Sequence, residues 1–257
     1  MSSVMDRVTE AATRAAAGPL ADARLRPSFP RVAAQSPFPP GAGLEEHVAR
    51  FRTELETLAG KVYGPLDAAG VADTVVELIL AAGERGGADE PAARDPAPMV
   101  RASLPVLAWS EDAIGCPGLA DRLRQAYIEL VSGHVPNDEG HQGALETLAT
   151  LEVGLSGAIA GLADTGSIVV ASGPGRSRLA SLLPPIHVAV LPLSRLYPTM
   201  HDWLADGGVE LARETSNLVV ITGSSRTSDI EMQLTLGMHG PKEVHVVLLR
   251  DREARSR

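Results

Sequence analysis

Apolar residues recur at two different periods along the chain. Between residues 44 and 82 they are three or four positions apart, as in Val48, Phe51 and Leu55, which predicts two amphipathic helices that stop at Gly60 and Gly83. Beyond residue 100 they form short continuous runs with amphipathic segments between them. The predicted strands are Val100–Ala108, Ser167–Ala171, Ile186–Leu191, Leu218–Thr222 and Val244–Leu249. The predicted helices are Leu119–Leu130, Arg178–Leu183, Thr199–Arg213 and Asp229–Leu236.

The continuous apolar runs indicate strands that are buried on both faces. Strands with one solvated face would alternate between apolar and polar residues, and these do not. Helices separate most of the predicted strands, which is typical of parallel strands joined by crossovers. We therefore predict an α/β fold with a mainly parallel sheet and helices on both of its faces.

Proline and glycine divide the chain into an extension and one domain. Residues 1–43 contain six of the 19 prolines, and we predict a weakly ordered extension with a short helix near residues 5–17. Residues 44–257 are predicted to form a single α/β domain. Within it, residues 83–98 hold three prolines and are predicted to be a flexible loop.

Composition excludes several function classes. The net charge of −9 over 257 residues argues against nucleic-acid binding, which needs a surplus of cations to neutralise phosphates. The single cysteine, Cys116, cannot form an intrachain disulfide, a Cys-rich zinc site or a complete iron–sulfur cluster. We expect no cofactor. We also expect no membrane span and a cytoplasmic location, because the chain lacks a secretory signal and any run of about 18 apolar residues.

Two turns carry residues suited to anion binding. Ser172–Arg178 and Thr222–Asp229 each follow a predicted strand, where backbone N–H groups become available to a ligand. An alternative for the second turn is a helix capping box formed by Ser228 and Glu231. The candidate anion-binding residues are Thr165, Gly173, Gly175, Arg176, Gly223, Ser224, Ser225, Arg226 and Thr227.

Three residues are candidates for acid–base chemistry, each with a structural alternative. Asp164 also fits an Asx turn, Glu231 a helix cap, and His239 a helix exit between Gly and Pro. His187 and His245 lie in apolar strands and are expected in the core. A polar loop contains four further potential metal ligands, but a solvated loop explains them better and we predict no metal site. Those four are His134, Asp138, Glu139 and His141.

Several segments together resemble the LUD domain family, that of lactate utilization protein C. They are Ala163–Ser167, Ser181–His187, Thr222–Glu231 and Gly237–Pro241. The resemblance implies the fold of ribose-phosphate isomerase, glucosamine-phosphate deaminase and CoA transferases. It also implies a role in oxidising L-lactate to pyruvate beside partner subunits that carry iron–sulfur clusters. The chain departs from the family pattern at Ile159, where an acid is usual, and at Ser224, where proline is frequent.

Two hypotheses about function follow. In the first, the chain is the cluster-free component of a lactate-oxidising system, with an accessory role, and binds iron–sulfur partner subunits. In the second, it is a stand-alone enzyme or binding protein for a small phosphorylated or carboxylated metabolite, with Arg176 and Arg226 holding the anion. Whether the chain is catalytic stays open at this point.

Overall fold

A six-stranded parallel sheet is the centre of the fold. The computed structural model describes residues 37–39, 41–86, 103–228, 234–236 and 240–251. The strands are β1 (Lys61–Leu66), β2 (Leu104–Ala108), β3 (Ile128–Ser132), β4 (Val153–Gly157), β5 (Ala160–Leu162), β6 (Ser167–Ala171), β7 (Ile186–Pro192), β8 (Leu196–Tyr197), β9 (Leu218–Ile221), β10 (Arg226–Ser228), β11 (Leu234–Leu236) and β12 (Glu243–Leu249). The helices are α1 (Leu44–Thr57), α2 (Ala68–Gly86), α3 (Glu111–Ile114), α4 (Leu119–Gln125), α5 (His141–Ala149), α6 (Met200–Trp203) and α7 (Val209–Glu214).

The strand order of the central sheet is β1-β12-β7-β4-β2-β3, and every neighbouring pair is parallel. The predicted α/β fold with a mainly parallel sheet is confirmed. From β2 the chain continues to β3 at one edge, whereas from β4 it continues to β7 in the other direction. The carboxyl ends of β2 and β4 therefore flank the point where the winding reverses, which is where open α/β sheets bind ligands.

A second sheet of order β8-β5-β6-β9 packs against the central one. Its β6 and β9 are antiparallel, with Ile168 opposite Ile221 and Ala171 opposite Leu218. The strands predicted at Ser167–Ala171 and Leu218–Thr222 thus exist, but they lie outside the parallel sheet. β6 is fully buried and has the same continuous apolar run as the strands of the central sheet, whereas β9 has such a run although it is only partly buried, so the pattern alone could not separate the two sheets.

The two faces of the central sheet have different covers. Val75 and Ile79 of α2 and Leu123 of α4 pack on one face with residues of β2, β4 and β7. Phe51 and Leu55 of α1 pack on the other face together with Ile168 of β6. Among the helices of the described residues, none is both long enough and apolar enough to cross a bilayer.

Two predicted helix boundaries are wrong. The helix predicted over Leu119–Leu130 ends at Gln125, because Tyr127 takes a left-handed conformation (φ 60°) and the chain continues into β3. The stop predicted at Gly83 is also wrong, since α2 continues to Gly86. Gly83 instead lies against Leu104, whose side chain a Cβ would meet at 3.2 Å. The rest of the predicted 83–98 loop, and residues 1–36, lie outside the described residues.

The helix predicted over Asp229–Leu236 is also wrong at its end. Residues 234–236 form β11, which pairs antiparallel with β10, so that Thr227 is opposite Thr235. Within the predicted turn Thr222–Asp229, residues Arg226–Ser228 therefore form a strand, β10. Residues 229–233 and 237–239 are outside the described ranges. They include Glu231 and His239, so the acid–base role of these two residues stays a prediction.

Candidate functional site

An open groove of about 540 Å³ lies at the carboxyl ends of β2 and β3. One wall consists of the residues that follow β2, including Ser110, and the residues that follow β3, including His134. The turn Gly173–Ser177, which follows β6 of the second sheet, forms the opposite wall. The groove thus lies beside the winding reversal, between β2 and β3 of the central sheet and the turn that follows β6 of the second sheet.

The Gly173–Arg176 turn holds its arginine in place by close backbone packing. Gly173 and Arg176 exchange two backbone hydrogen bonds, of 3.2 and 2.9 Å. A Cβ on Gly173 would lie 2.7 Å from Nη2 of Arg176, so glycine leaves the space that the guanidinium occupies. Gly175 has φ of 68° and its carbonyl accepts a 2.8 Å bond from the amide of Ser110. This bond joins the turn to the end of β2.

The next residue, Ser177, fixes the base of the groove. Its hydroxyl donates to the carbonyl of Gly133 at 2.9 Å, and its own carbonyl accepts from Nε1 of Trp109 at 3.0 Å. A side chain at Gly133 would meet the Ser177 hydroxyl at 2.4 Å, so this approach requires glycine. Ser177 also accepts from the amide of Leu179 and begins the 3₁₀ helix Arg178–Ser181.

A second open cavity, of about 550 Å³, continues on the other side of the turn. Ser110, Pro174, Gly175 and Arg176 line both cavities. Arg195 and Ile159 belong to the second cavity only. Arg176 therefore lies at the junction, and it has no ion-pair partner among the residues whose side chains the structure describes. A guanidinium without an ion-pair partner, on a turn whose backbone is fixed by hydrogen bonds, can bind a carboxylate through two parallel hydrogen bonds.

A second cluster of predicted residues surrounds the β5–β6 turn. Thr165, Ser167 and Thr222 form a chain of hydroxyl groups, with 2.8 Å between successive oxygens. Next to it, burial raises the pKa of Asp164, against the opposing effect of hydrogen bonds from Thr165. Its Oδ1 is buried and has no hydrogen-bond partner in the described part of the chain. The cluster joins the two segments of the sequence motif, 163–167 and 222–225.

The Thr222–Ser225 turn packs against the end of α1. A Cβ on Gly223 would meet the carbonyl of Leu58 at 2.7 Å, and the Ser224 hydroxyl donates to the carbonyl of Ala59 at 3.2 Å. The amide of Ser225 donates to the carbonyl of Pro241 at 2.9 Å. Gly223, Ser224 and Ser225, which we predicted as anion ligands, therefore connect elements of the fold. Arg226 and Thr227 lie on β10, and nothing is described of their side chains.

As far as their residues are described, the two predicted anion-binding turns lie at opposite ends of β6. The antiparallel register places Ser172 beside Asn217, whose carbonyl its amide contacts at 2.9 Å, and places Thr222 beside Ser167 at the other end of β6. Five residues of extended chain separate these ends, or about 17 Å. The structure brings Gly173, Gly175 and Arg176 together in one place, and Thr165 with the 222–225 turn in another.

The sequence missed the wall opposite the turn. Ser110 follows the end of β2 by two residues, as His134 follows the end of β3, and neither belongs to a recognisable motif. Position was the available signal, because residues just beyond the carboxyl end of a predicted parallel strand border the ligand crevice. Ser110 could have been identified in this way, because it comes just after the predicted strand Val100–Ala108. For His134 the sequence indicates only a potential metal ligand, because the predicted helix over Leu119–Leu130 includes the first three residues of β3 and no strand is predicted there.

The buried histidines form hydrogen bonds within the core, as expected. His187 is fully buried with its Nε2 2.8 Å from the Ser156 hydroxyl, and burial lowers its pKa to about 4. His245 Nε2 is 3.1 Å from Glu243 Oε2, and desolvation lowers its pKa. Cys116 is also buried, which raises the pKa of its thiol to about 11.

The polar loop after β3 leads into a helix. The Asp138 carboxylate accepts from the amide of Gly140, and His141 Nδ1 donates to the carbonyl of Pro136, both at 2.9 Å. His141 is the first residue of α5. In the described ranges, no three His, Cys, Asp or Glu side chains are grouped to hold a metal ion.

Comparison with known proteins gives a consistent family assignment. The family model described as "LUD domain" matches residues 48–249. Lactate utilization protein C of Halalkalibacterium halodurans is 31% identical over 150 residues, which cover 57% of this chain and 63% of that protein. The protein of the same name from an Exiguobacterium species is 36% identical over 113 residues, which cover 43% of this chain and 49% of that protein. The matched part thus spans less than two thirds of these relatives.

A solved structure extends the comparison to the fold. A DUF162 family protein from Deinococcus radiodurans superposes with a TM-score of 0.50 at 13% sequence identity. The superposition covers 81% of this chain and 99% of that one. At this identity the match concerns the fold alone.

Proposed function

The chain belongs to the LUD domain family, and from that premise we propose that it is the cluster-free, cytoplasmic component of a lactate-utilization system. Two relatives that carry the name lactate utilization protein C support this proposal. In the proposed system, L-lactate is oxidised to pyruvate with the release of two electrons and two protons. Iron–sulfur clusters on partner subunits accept the electrons, and this chain binds the acid as an accessory subunit.

The observation that carries the binding role is the position of Arg176. Its guanidinium lies at the junction of two cavities on the carboxyl edge of the sheet and has no ion-pair partner among the described side chains. A carboxylate that enters the groove gains a charge-assisted pair there, which is worth about twice a neutral hydrogen bond. A joint site of Arg176 with the 222–229 turn has no support, because the turns lie at opposite ends of β6.

The proposed role predicts a growth defect. Deleting the gene is expected to abolish growth on L-lactate as the sole carbon source and to leave growth on pyruvate intact, because only the oxidation step is lost. The wild-type gene should restore growth and Arg176→Gln should not. Arg178→Gln is the matched control, since Arg178 is exposed and lines neither cavity. Undiminished growth of the deletion strain on L-lactate would refute the role.

The partner proposal predicts co-purification. A tagged chain isolated from lactate-grown cells is expected to retain proteins that contain iron and acid-labile sulfide, although the chain itself has a single cysteine. Purification from cells grown without lactate serves as the control. If iron and sulfide are absent from both preparations at equal yield, the chain does not form a stable complex with iron–sulfur subunits.

A further inference from the structure

We infer that the groove beside Arg176 selects monocarboxylic acids with an aliphatic chain longer than that of lactate, and that this chain lies along the apolar wall between β2 and β3. The inference rests on the proposed carboxylate site and extends its ligand class to longer 2-hydroxy acids. Three features of the groove carry it: its volume, the distribution of apolar residues, and the balance of charge around Arg176.

The volume exceeds what a three-carbon acid fills. At about 540 Å³ the groove lies within the range of about 300 to 1,000 Å³ that is typical of pockets for ligands of drug size. A three-carbon acid paired with Arg176 would leave most of this space to water. A longer chain would displace that water from apolar surface, which stabilises the complex in proportion to the area covered.

The apolar residues are concentrated on one side of Arg176. They lie at the end of β2, within and after β3, and on the turn, and they comprise Ala108, Trp109, Leu130, Val131, Val135 and Pro174. The second cavity, beyond Arg176, is lined by Asp112 and Arg195 as well as by Ala113 and Ile159, so its lining is more polar than that of the groove. A ligand with its carboxylate at the junction therefore meets the more extensive apolar surface on the side of β2 and β3.

The balance of charge in the lining favours a ligand with a single negative charge. The lining of the two cavities contains Arg176 and Arg195, but also Glu111 and Asp112. These four side chains sum to zero before a ligand binds, so the lining has no net positive charge to offset a second negative charge on the ligand. A phosphate ester, which carries nearly two charges at neutral pH, is thus disfavoured relative to a carboxylate.

Ser110 supplies a polar contact for the acid. It precedes α3 at the N-cap position, yet its side chain makes no capping bond. Ser110 lines both cavities, as Arg176 does. The hydroxyl can therefore bond a carboxylate oxygen or the 2-hydroxyl group of the ligand, beside the guanidinium.

The test is a calorimetric titration of the full chain with straight-chain 2-hydroxy acids of three to eight carbons. Each added methylene is expected to tighten binding about fourfold, which corresponds to the transfer of one CH₂ from water, until the groove is filled. Alkyl phosphates of equal chain length should bind more weakly than the acids, and alkylamines should not bind.

Two variants separate the charge from the apolar wall. Arg176→Gln is expected to weaken every acid by the same factor, on the order of tenfold or more, and to leave the fourfold increments intact. Arg178→Gln should match the wild type. Affinities that depend on Arg176 but not on chain length would overturn this inference and leave the carboxylate site standing. An absence of Arg176-dependent binding for every acid would overturn both.

Discussion

Replacing Gly154 with alanine is expected to lower the free energy of unfolding by about 3 kcal/mol. Gly154 lies in β4, where it pairs with Leu107 of β2 and His187 of β7, and all of β4 is buried. A Cβ at this position would lie 1.8 Å from the carbonyl oxygen of Ala180. That atom belongs to the backbone of the 3₁₀ helix Arg178–Ser181, so no side-chain rotation can relieve the overlap.

The measurement is urea denaturation of wild type and variant at equal m-value, and the melting temperature should fall by about 6 to 12 °C in parallel. Gly143→Ala is the matched control. Gly143 lies in α5 with an ordinary helical conformation and no atom near its missing Cβ, so alanine should stabilise the protein by about 0.5 to 1 kcal/mol. A loss below about 0.5 kcal/mol in Gly154→Ala would show that the 3₁₀ helix can move away from β4 at little cost.

This contact also connects the core to the groove. Ala180 lies four residues after Arg176, and the segment between them contains Ser177, which bonds both Gly133 and Trp109. A displacement of the 3₁₀ helix by the new methyl group would move the wall of the groove with it. The position of Arg176 therefore depends on the glycine in β4. We expect Gly154→Ala to weaken acid binding as well as to lower stability.

The fold class followed from the sequence, whereas the division into two sheets did not. Continuous apolar runs such as Ile186–Leu191 arise wherever both faces of a strand are buried. Ser167–Ala171 has the same run, because Ile168 packs with residues of the central sheet and Val169 packs with Trp203 on the opposite face of β6. Its antiparallel partner, Leu218–Ile221, is about fifty residues away, and no local pattern encodes such a pairing.

The candidate site was predictable on one side only. Glycines and an arginine after a strand identified Gly173, Gly175 and Arg176 from local chemistry, and they do form one wall of the groove. Thr222–Ser225 offered equally good local chemistry, yet it packs on the end of α1. The difference lies in the register of β6 and β9, which decides the end of the sheet at which each turn lies.

Acidification is expected to destabilise the protein through His187, by up to about 3 kcal/mol between pH 6.5 and pH 4. The imidazole is fully buried, with its Nε2 bonded to Ser156 and its Nδ1 without a partner among the described residues. Burial, and to a smaller extent the nearby His245, lower its pKa to about 4 in the folded protein. In the unfolded chain it returns to about 6.5.

Acid lowers the free energy of unfolding because the unfolded chain takes up the proton at a higher pH than the folded protein does. Below pH 6.5 the unfolded chain binds a proton at this histidine that the folded protein does not, so the free energy of unfolding falls with pH until the folded form also titrates near pH 4. Urea midpoints at four pH values between 7.5 and 4.5 measure the slope. His187→Gln should be less stable at pH 7.5 and show a flatter slope, because it no longer titrates. His201→Gln, at an exposed position on α6, should keep the wild-type slope. An unchanged slope in His187→Gln would assign the acid sensitivity to other groups.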